Sequence, residues 1–232
     1  IMKNIEYKIE NFGMFTKNRV IYDEKIYATF GTTEILSSCL RRGFLDAVVI
    51  VADCAGSVIA SDPKLVQGLG GRVSGIIKTS PILEVIEKIE KAGGIVVNKN
   101  AEINQIKGVK MAIDSGFKRI GVTLTSVEDA KICKELEDNT VKILTIAVHT
   151  TGVNWSREEI LYFDLVNLCA SKTLRENIVG IAKAQAGKKI PIVAISDFGK
   201  EALLERAKDL DQFLLTLEKI PLRDVEEPYP LI

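Results

Sequence analysis

One histidine, four cysteines and a cluster of glycines carry most of the reactive chemistry in these 232 residues. His149 ends an apolar run and enters Thr150-Thr151-Gly152. An imidazole there suits proton transfer near neutral pH. It equally suits a hydrogen-bonded histidine at a strand end. Cys54 follows Asp53, and Cys169 lies three residues before Lys172. Both thiols fall at predicted strand ends, where a cation or a helix N-terminus would lower the pKa and make a nucleophile. Burial is the plainer alternative. A Cys/His pair requires His149 to meet Cys54 or Cys169 in space, so these three are the candidate catalytic residues. Cys39 and Cys133 fall on apolar helix faces and read as core. A single histidine excludes a multi-histidine metal site within one chain, and no metal is expected.

The densest glycine segment is Gly68-Leu69-Gly70-Gly71-Arg72-Val73-Ser74-Gly75. Such a run lets successive backbone N–H groups converge on an anion, and Arg72 adds a group able to grip phosphate or carboxylate in two places. Gly70, Gly71, Arg72 and Ser74 are therefore candidate ligand contacts. The segment is neither a Walker loop, which needs Gly-Lys-Ser/Thr, nor the dinucleotide fingerprint, whose glycines directly follow a strand. A plain connection or a flexible lid is the alternative.

Ligands of open parallel sheets bind beyond the carboxyl ends of the strands. The residues there are Asp53 to Ser57, Thr125-Ser126, His149 to Gly152, Ala170-Ser171-Lys172 and Ser196-Asp197. Ser57, Thr150, Ser171 and Lys172 join the candidate contacts on this ground. Strand-to-helix turns also carry Ser, Thr and Asp simply as caps.

The elements that must position these residues follow from periodicity. Buried β-branched runs predict strands at 46–52, 119–124, 141–148 and 191–195, with shorter ones at 56–61, 95–97 and 167–170. Helices are predicted at 3–12, 32–42, 64–69, 80–91, 106–115, 126–137, 156–166, 173–186 and from 197 to about 217. Residues 19–27 are ambiguous and read best as a strand. The alternation predicts an α/β fold: a mostly parallel sheet with helices on both faces, Rossmann-like in its layers but without the dinucleotide fingerprint. One domain over 1–232 is expected, with a hinge at 98–105 and an extended tail at 220–232.

Composition narrows the function classes. Apolar residues make up 47% and charged residues 27%, and 31 basic side chains balance 31 acidic ones. That balance provides no field for nucleic acid or an anionic membrane, so neither is an expected partner. No apolar run approaches the ~20 residues of a membrane span. Four cysteines without a C-x-x-C pair read as reduced thiols of a cytoplasmic protein. A homo-oligomer is left open.

Five stretches taken together are specific: Phe12-Gly13-Met14-Phe15-Thr16, Ala55-Gly56-Ser57-Val58, the run from Asp62 to Gly75, Ala147 to Gly152, and Cys169-Ala170-Ser171-Lys172. They resemble the methanogenesis marker protein 8 family over nearly the whole chain. That resemblance implies a cytoplasmic archaeal protein acting near methyl-coenzyme M reduction or its cofactors, and it carries no catalytic assignment. Gly31 to Leu36, Gly43 to Val48, Gly70 to Val73 and Gly116 to Val122 are similar, more faintly, to deazaflavin-reducing hydrogenase beta subunits. This second likeness implies flavin or deazaflavin as the cofactor class. The ferredoxin-type cysteines of that family are missing, and Val73 stands where it has an aromatic residue. The favoured expectation is a methanogenesis-associated protein that binds an anionic small molecule or cofactor between the glycine segment and the polar strand ends. The alternative is a non-catalytic assembly or maturation factor for methyl-coenzyme M reductase, with other methanogenesis proteins as partners.

Overall fold

A computed structural model describes residues 2–73, 75, 77–187 and 190–211. Ser74, the tail at 220–232 and the predicted helix beyond residue 211 lie outside the described residues. The chain opens with helix α1 (Met2–Phe12), then α2 (Thr32–Arg41) leads into strand β1 (Ala47–Ala52). After these come β2 (Gly56–Ala60), α3 (Pro63–Gly70), α4 (Leu83–Lys91), β3 (Ile95–Val96), α5 (Gln105–Asp114), β4 (Arg119–Leu124) and α6 (Val127–Glu135). The remainder is β5 (Lys142–Ala147), α7 (Arg157–Ile160), β6 (Leu165–Asn167), α8 (Lys172–Ile178), β7 (Ala184–Ala186), β8 (Ile192–Ala194) and α9 (Asp197–Ala207).

The predicted α/β class holds. All eight strands join one sheet in the order β3-β2-β1-β4-β5-β6-β8-β7. The middle four, β1, β4, β5 and β6, are parallel. Both flanks are antiparallel. Along β1 the pleat sends Val48, Ile50 and Ala52 to one core with α2, α3, α4 and α9. Ala47 and Val49 go to the other core with α5 to α8. A strand covered on both faces needs apolar residues at every position, which is why 47–52 carries no alternation.

Several elements depart from the sequence expectation, among them α9, which ends at Ala207 rather than near 217, and β6, which lies at Leu165–Asn167 rather than 167–170. The predicted helix 156–166 opens with a capping box, Ser156 with Glu159, but ends at Ile160. Asp164 then accepts the amide and hydroxyl of Thr145 and starts β6 beside β5. The predicted helix 173–186 ends at Ile178, because Gly180 takes a φ of +88° and turns the chain. Ala184–Ala186 then lies antiparallel on β8 as an edge strand. Residues 19–27 form no strand. They run beside α3, which continues one residue past its predicted end.

That contact explains a glycine. Gly68 is helical, and a Cβ on it would stand 2.1 Å from the carbonyl oxygen of Ile21. Alanine favours a helix over glycine by about 1 kcal/mol, yet here the backbone contact wins. Gly68→Ala is expected to lower stability by about 1–3 kcal/mol, opposite in sign to its helix propensity. Urea denaturation of the two proteins measures it.

Candidate functional site

The carboxyl edge of the parallel strands is organised around Asp53, the first residue after β1. Its side chain is fully buried. One oxygen accepts from Nε of the equally buried Arg19 at 2.8 Å. The other accepts the backbone N–H of Phe15 at 2.8 Å. Arg19 also donates to the carbonyl of Leu69 near the end of α3, at 3.2 Å. A buried charge must be paired and hydrogen-bonded, and this one ties residues 15–19, the β1–β2 turn and α3 together.

Backbone strain collects at the same edge. Phe15, Cys54, Ala101 and His149 are non-glycine residues with φ between +55° and +69°. Phe15 donates to Asp53, and Cys54 follows it. Ala101 lies against Gly56, where a Cβ would meet its backbone at 2.5 Å. The left-handed region costs an L-residue about 1–3 kcal/mol and persists where the surroundings enforce it, commonly at functional sites.

His149 follows Val148 at the end of β5 and is half-buried. Its Nδ1 accepts the backbone N–H of Gly75 at 3.1 Å. The glycine-rich segment therefore reaches the imidazole across 74 positions of sequence. Four residues further on, Thr79 Oγ1 accepts the N–H of Cys54 at 2.6 Å. Gly75 thus stands at the end of β5 and Thr79 at the β1–β2 turn. An accepting Nδ1 leaves the proton on Nε2. Burial, and then the positive charge of Lys8, hold the imidazole pKa below its ordinary 6.5.

The other predicted residues stand as follows. Gly70 ends α3 against Thr33 and Ile50, and Gly71 caps it by donating to Gln67. The Arg72 guanidinium is buried between the rings of Phe12 (3.6 Å) and Tyr27 (4.0 Å) and is paired with Asp23 and the Tyr27 hydroxyl. The Arg72 carbonyl accepts from Lys8 Nζ at 2.6 Å. Ser57 bridges Gln105 (2.6 Å) and the Asn104 amide (2.8 Å), which draws the predicted hinge segment onto β2. Thr150 donates to the Asn167 carbonyl and accepts the Cys169 amide. Ser171 caps α8 and donates to Val153. Lys172 is exposed at the first position of α8.

Among the described residues no hydrogen bond joins His149 to Cys54 or Cys169. Cys54 Sγ faces Asp53 at 3.7 Å while His149 holds Gly75. Burial and the Asp53 charge push the Cys54 thiol up to about 12. Burial does the same for Cys39 and Cys133. Cys169 is half-buried. No group of three metal-ligating side chains occurs among the described residues. Lys8, Arg19, Asp23 and Tyr27 were not legible as site residues, because every contact that brings them here is long-range.

A family model described as an uncharacterised protein conserved in archaea (DUF2099) matches residues 1–208. The chain belongs to the DUF2099 family. Every candidate residue above falls inside the match. An uncharacterised protein of Methanocaldococcus jannaschii is 60% identical over 233 residues, spanning all of this chain and 83% of that protein. No helix among the described residues of this DUF2099 protein is long and apolar enough to cross a membrane.

Two outcomes follow from the geometry. As the single histidine of the chain, His149 gives one imidazole titration in NMR, with a midpoint below 6.5. Between that midpoint and 6.5 the unfolded chain binds more protons than the folded one. Stability is then expected to be full above 6.5 and to fall as the pH drops through this window. For the thiols, native protein at neutral pH is expected to react with iodoacetamide at Cys169 first. Cys39, Cys54 and Cys133 react at comparable rates only after denaturation, as peptide mass spectrometry will show.

Proposed function

We propose that this DUF2099 protein is a cytoplasmic, methanogenesis-associated protein that binds an anionic small molecule or cofactor at the carboxyl edge of its sheet. The single observation that carries this reading is the hydrogen bond from Gly75 to His149 Nδ1. It joins the glycine-rich segment to the end of a central parallel strand, the position at which such sheets take ligands. It also makes His149 a donor through Nε2. Lys8 supplies positive charge. Gly70, Gly71 and Arg72 shape the segment, and Ser57, Thr150 and Ser171 brace the turns around it. The likeness to the methanogenesis marker proteins and the Methanocaldococcus relative support the metabolic setting. With its pKa raised to about 12, Cys54 is a neutral thiol in this reading and no nucleophile.

A second reading, an assembly factor for methyl-coenzyme M reductase, is favoured by a different observation. Eight of the fourteen large exposed hydrophobic side chains of the described residues fall between Ile5 and Tyr27, a concentration typical of interaction surfaces.

A thermal-shift screen with FMN, FAD, the deazaflavin coenzyme, ATP, NAD(P), coenzyme M and coenzyme B separates the two. A ligand present at 100 times its Kd adds about 2.7 kcal/mol, a shift of a few degrees. The anion reading expects a shift that His149→Gln reduces. No shift with any compound, together with capture of the reductase by the wild-type protein, overturns it in favour of the assembly factor.

A further inference from the structure

We infer that Lys8 is a positioning residue of the anion site, holding the Arg72 carbonyl from helix α1 and so keeping the Gly75 amide on His149. This rests on the reading of the carboxyl edge as an anion site. Helix α1 has 11 residues, too few for stability alone in water. Among the described residues no other helix or strand makes more than slight contact with it. Of its side chains from Lys3 onward, only Lys8 and Phe12 are half-buried; the rest are exposed. Both of these reach one residue, Arg72. Lys8 Nζ donates to its carbonyl at 2.6 Å, and the Phe12 ring covers its guanidinium at 3.6 Å. Arg72 lies three residues before Gly75, whose N–H is bound by His149. The helix therefore meets the body at Arg72, inside the glycine-rich segment.

Charge supports the same assignment. An imidazolium donates from both nitrogens and cannot accept at Nδ1, so the Gly75 bond exists only while His149 is neutral. After burial, the charge of Lys8 opposes protonation of His149. Arg72, paired with Asp23, and Arg19, paired with Asp53, in turn oppose the charge of Lys8, while Asp53 favours it. An anion at this edge is attracted by Lys8. It can accept from His149 Nε2, whose proton the Gly75 bond to Nδ1 keeps in place.

The test uses the full chain with Lys8→Met and Lys8→Arg, read by the imidazole 15N and 1H signals of His149. Three quantities are measured: its pKa without anion, its tautomer, and the Kd for inorganic phosphate. Lys8→Met is expected to move the pKa upward, to weaken the Nδ1-accepting tautomer, and to raise the phosphate Kd about tenfold. Lys8→Arg is expected to restore all three. An unchanged pKa and tautomer in Lys8→Met overturn the inference, since a merely structural lysine on an exposed helix would leave His149 as it was. Phosphate that leaves the wild-type His149 signals unmoved overturns the anion-site reading instead. The ligand-free titration then still decides whether Lys8 positions His149.

Discussion

The buried pair of Arg19 and Asp53 is the constraint on which the carboxyl edge depends. Two ions with no exposed side-chain surface are held only because further hydrogen bonds satisfy them, from the Phe15 amide to Asp53 and from Arg19 to Leu69. Such a pair adds little net stability over an apolar substitute, but breaking it leaves an uncompensated charge, at a cost of about 3–5 kcal/mol. Its value is specificity. The N-terminal segment has few apolar anchors, Met14 and Ile21 among them. The ion pair decides where that segment lies, and α1 follows from it.

The mixed sheet adds a second constraint. A parallel β1 followed by a crossover helix would have placed the residues after it at a helix N-terminus. Instead β1 turns directly into antiparallel β2, with Val51 opposite Ser57 and Ala52 opposite Gly56. The turn is so tight that Cys54 adopts a left-handed conformation. An anion bound here as proposed would therefore meet side chains, His149 and Lys8, rather than a helix dipole following β1. The glycines of the long segment divide accordingly. Gly68 and Gly70 lie within α3 and permit close packing against Ile21 and Thr33, and only Gly75, at φ +112°, uses the conformational freedom of glycine.

How much of this was legible follows from the range of each interaction. The central strands were readable because two-sided burial writes an unbroken β-branched run. Helix starts are local for the same kind of reason: the caps at Asp62, Ser126 and Ser156 act within three residues. His149 and the glycine segment stood out by composition, and the structure brings them together. Edge strand β7 was not readable, because Ala-Gln-Ala has no pattern of its own and exists as a strand only through β8. Arg19 and Lys8 were hidden for the same reason. Their partners lie 34 and 64 residues away, and nothing local distinguishes them from surface cations. Arg72 was conspicuous in sequence for its glycines, yet its guanidinium is engaged by Asp23, Phe12 and Tyr27.

That last point shifts the chemistry of the edge from a clamp to a field. A guanidinium sandwiched between two rings and paired with a carboxylate fixes backbone more than it grips a ligand. The half-buried groups that can respond to a ligand are Lys8 and His149. Each has its pKa lowered, burial being the larger cause in both. Lys8 is further opposed by Arg72 and Arg19 and partly compensated by Asp53, and His149 is opposed by Lys8. An anion bound as proposed, of phosphate or carboxylate type, would ease both costs, because it compensates charge that burial and like-charged neighbours disfavour.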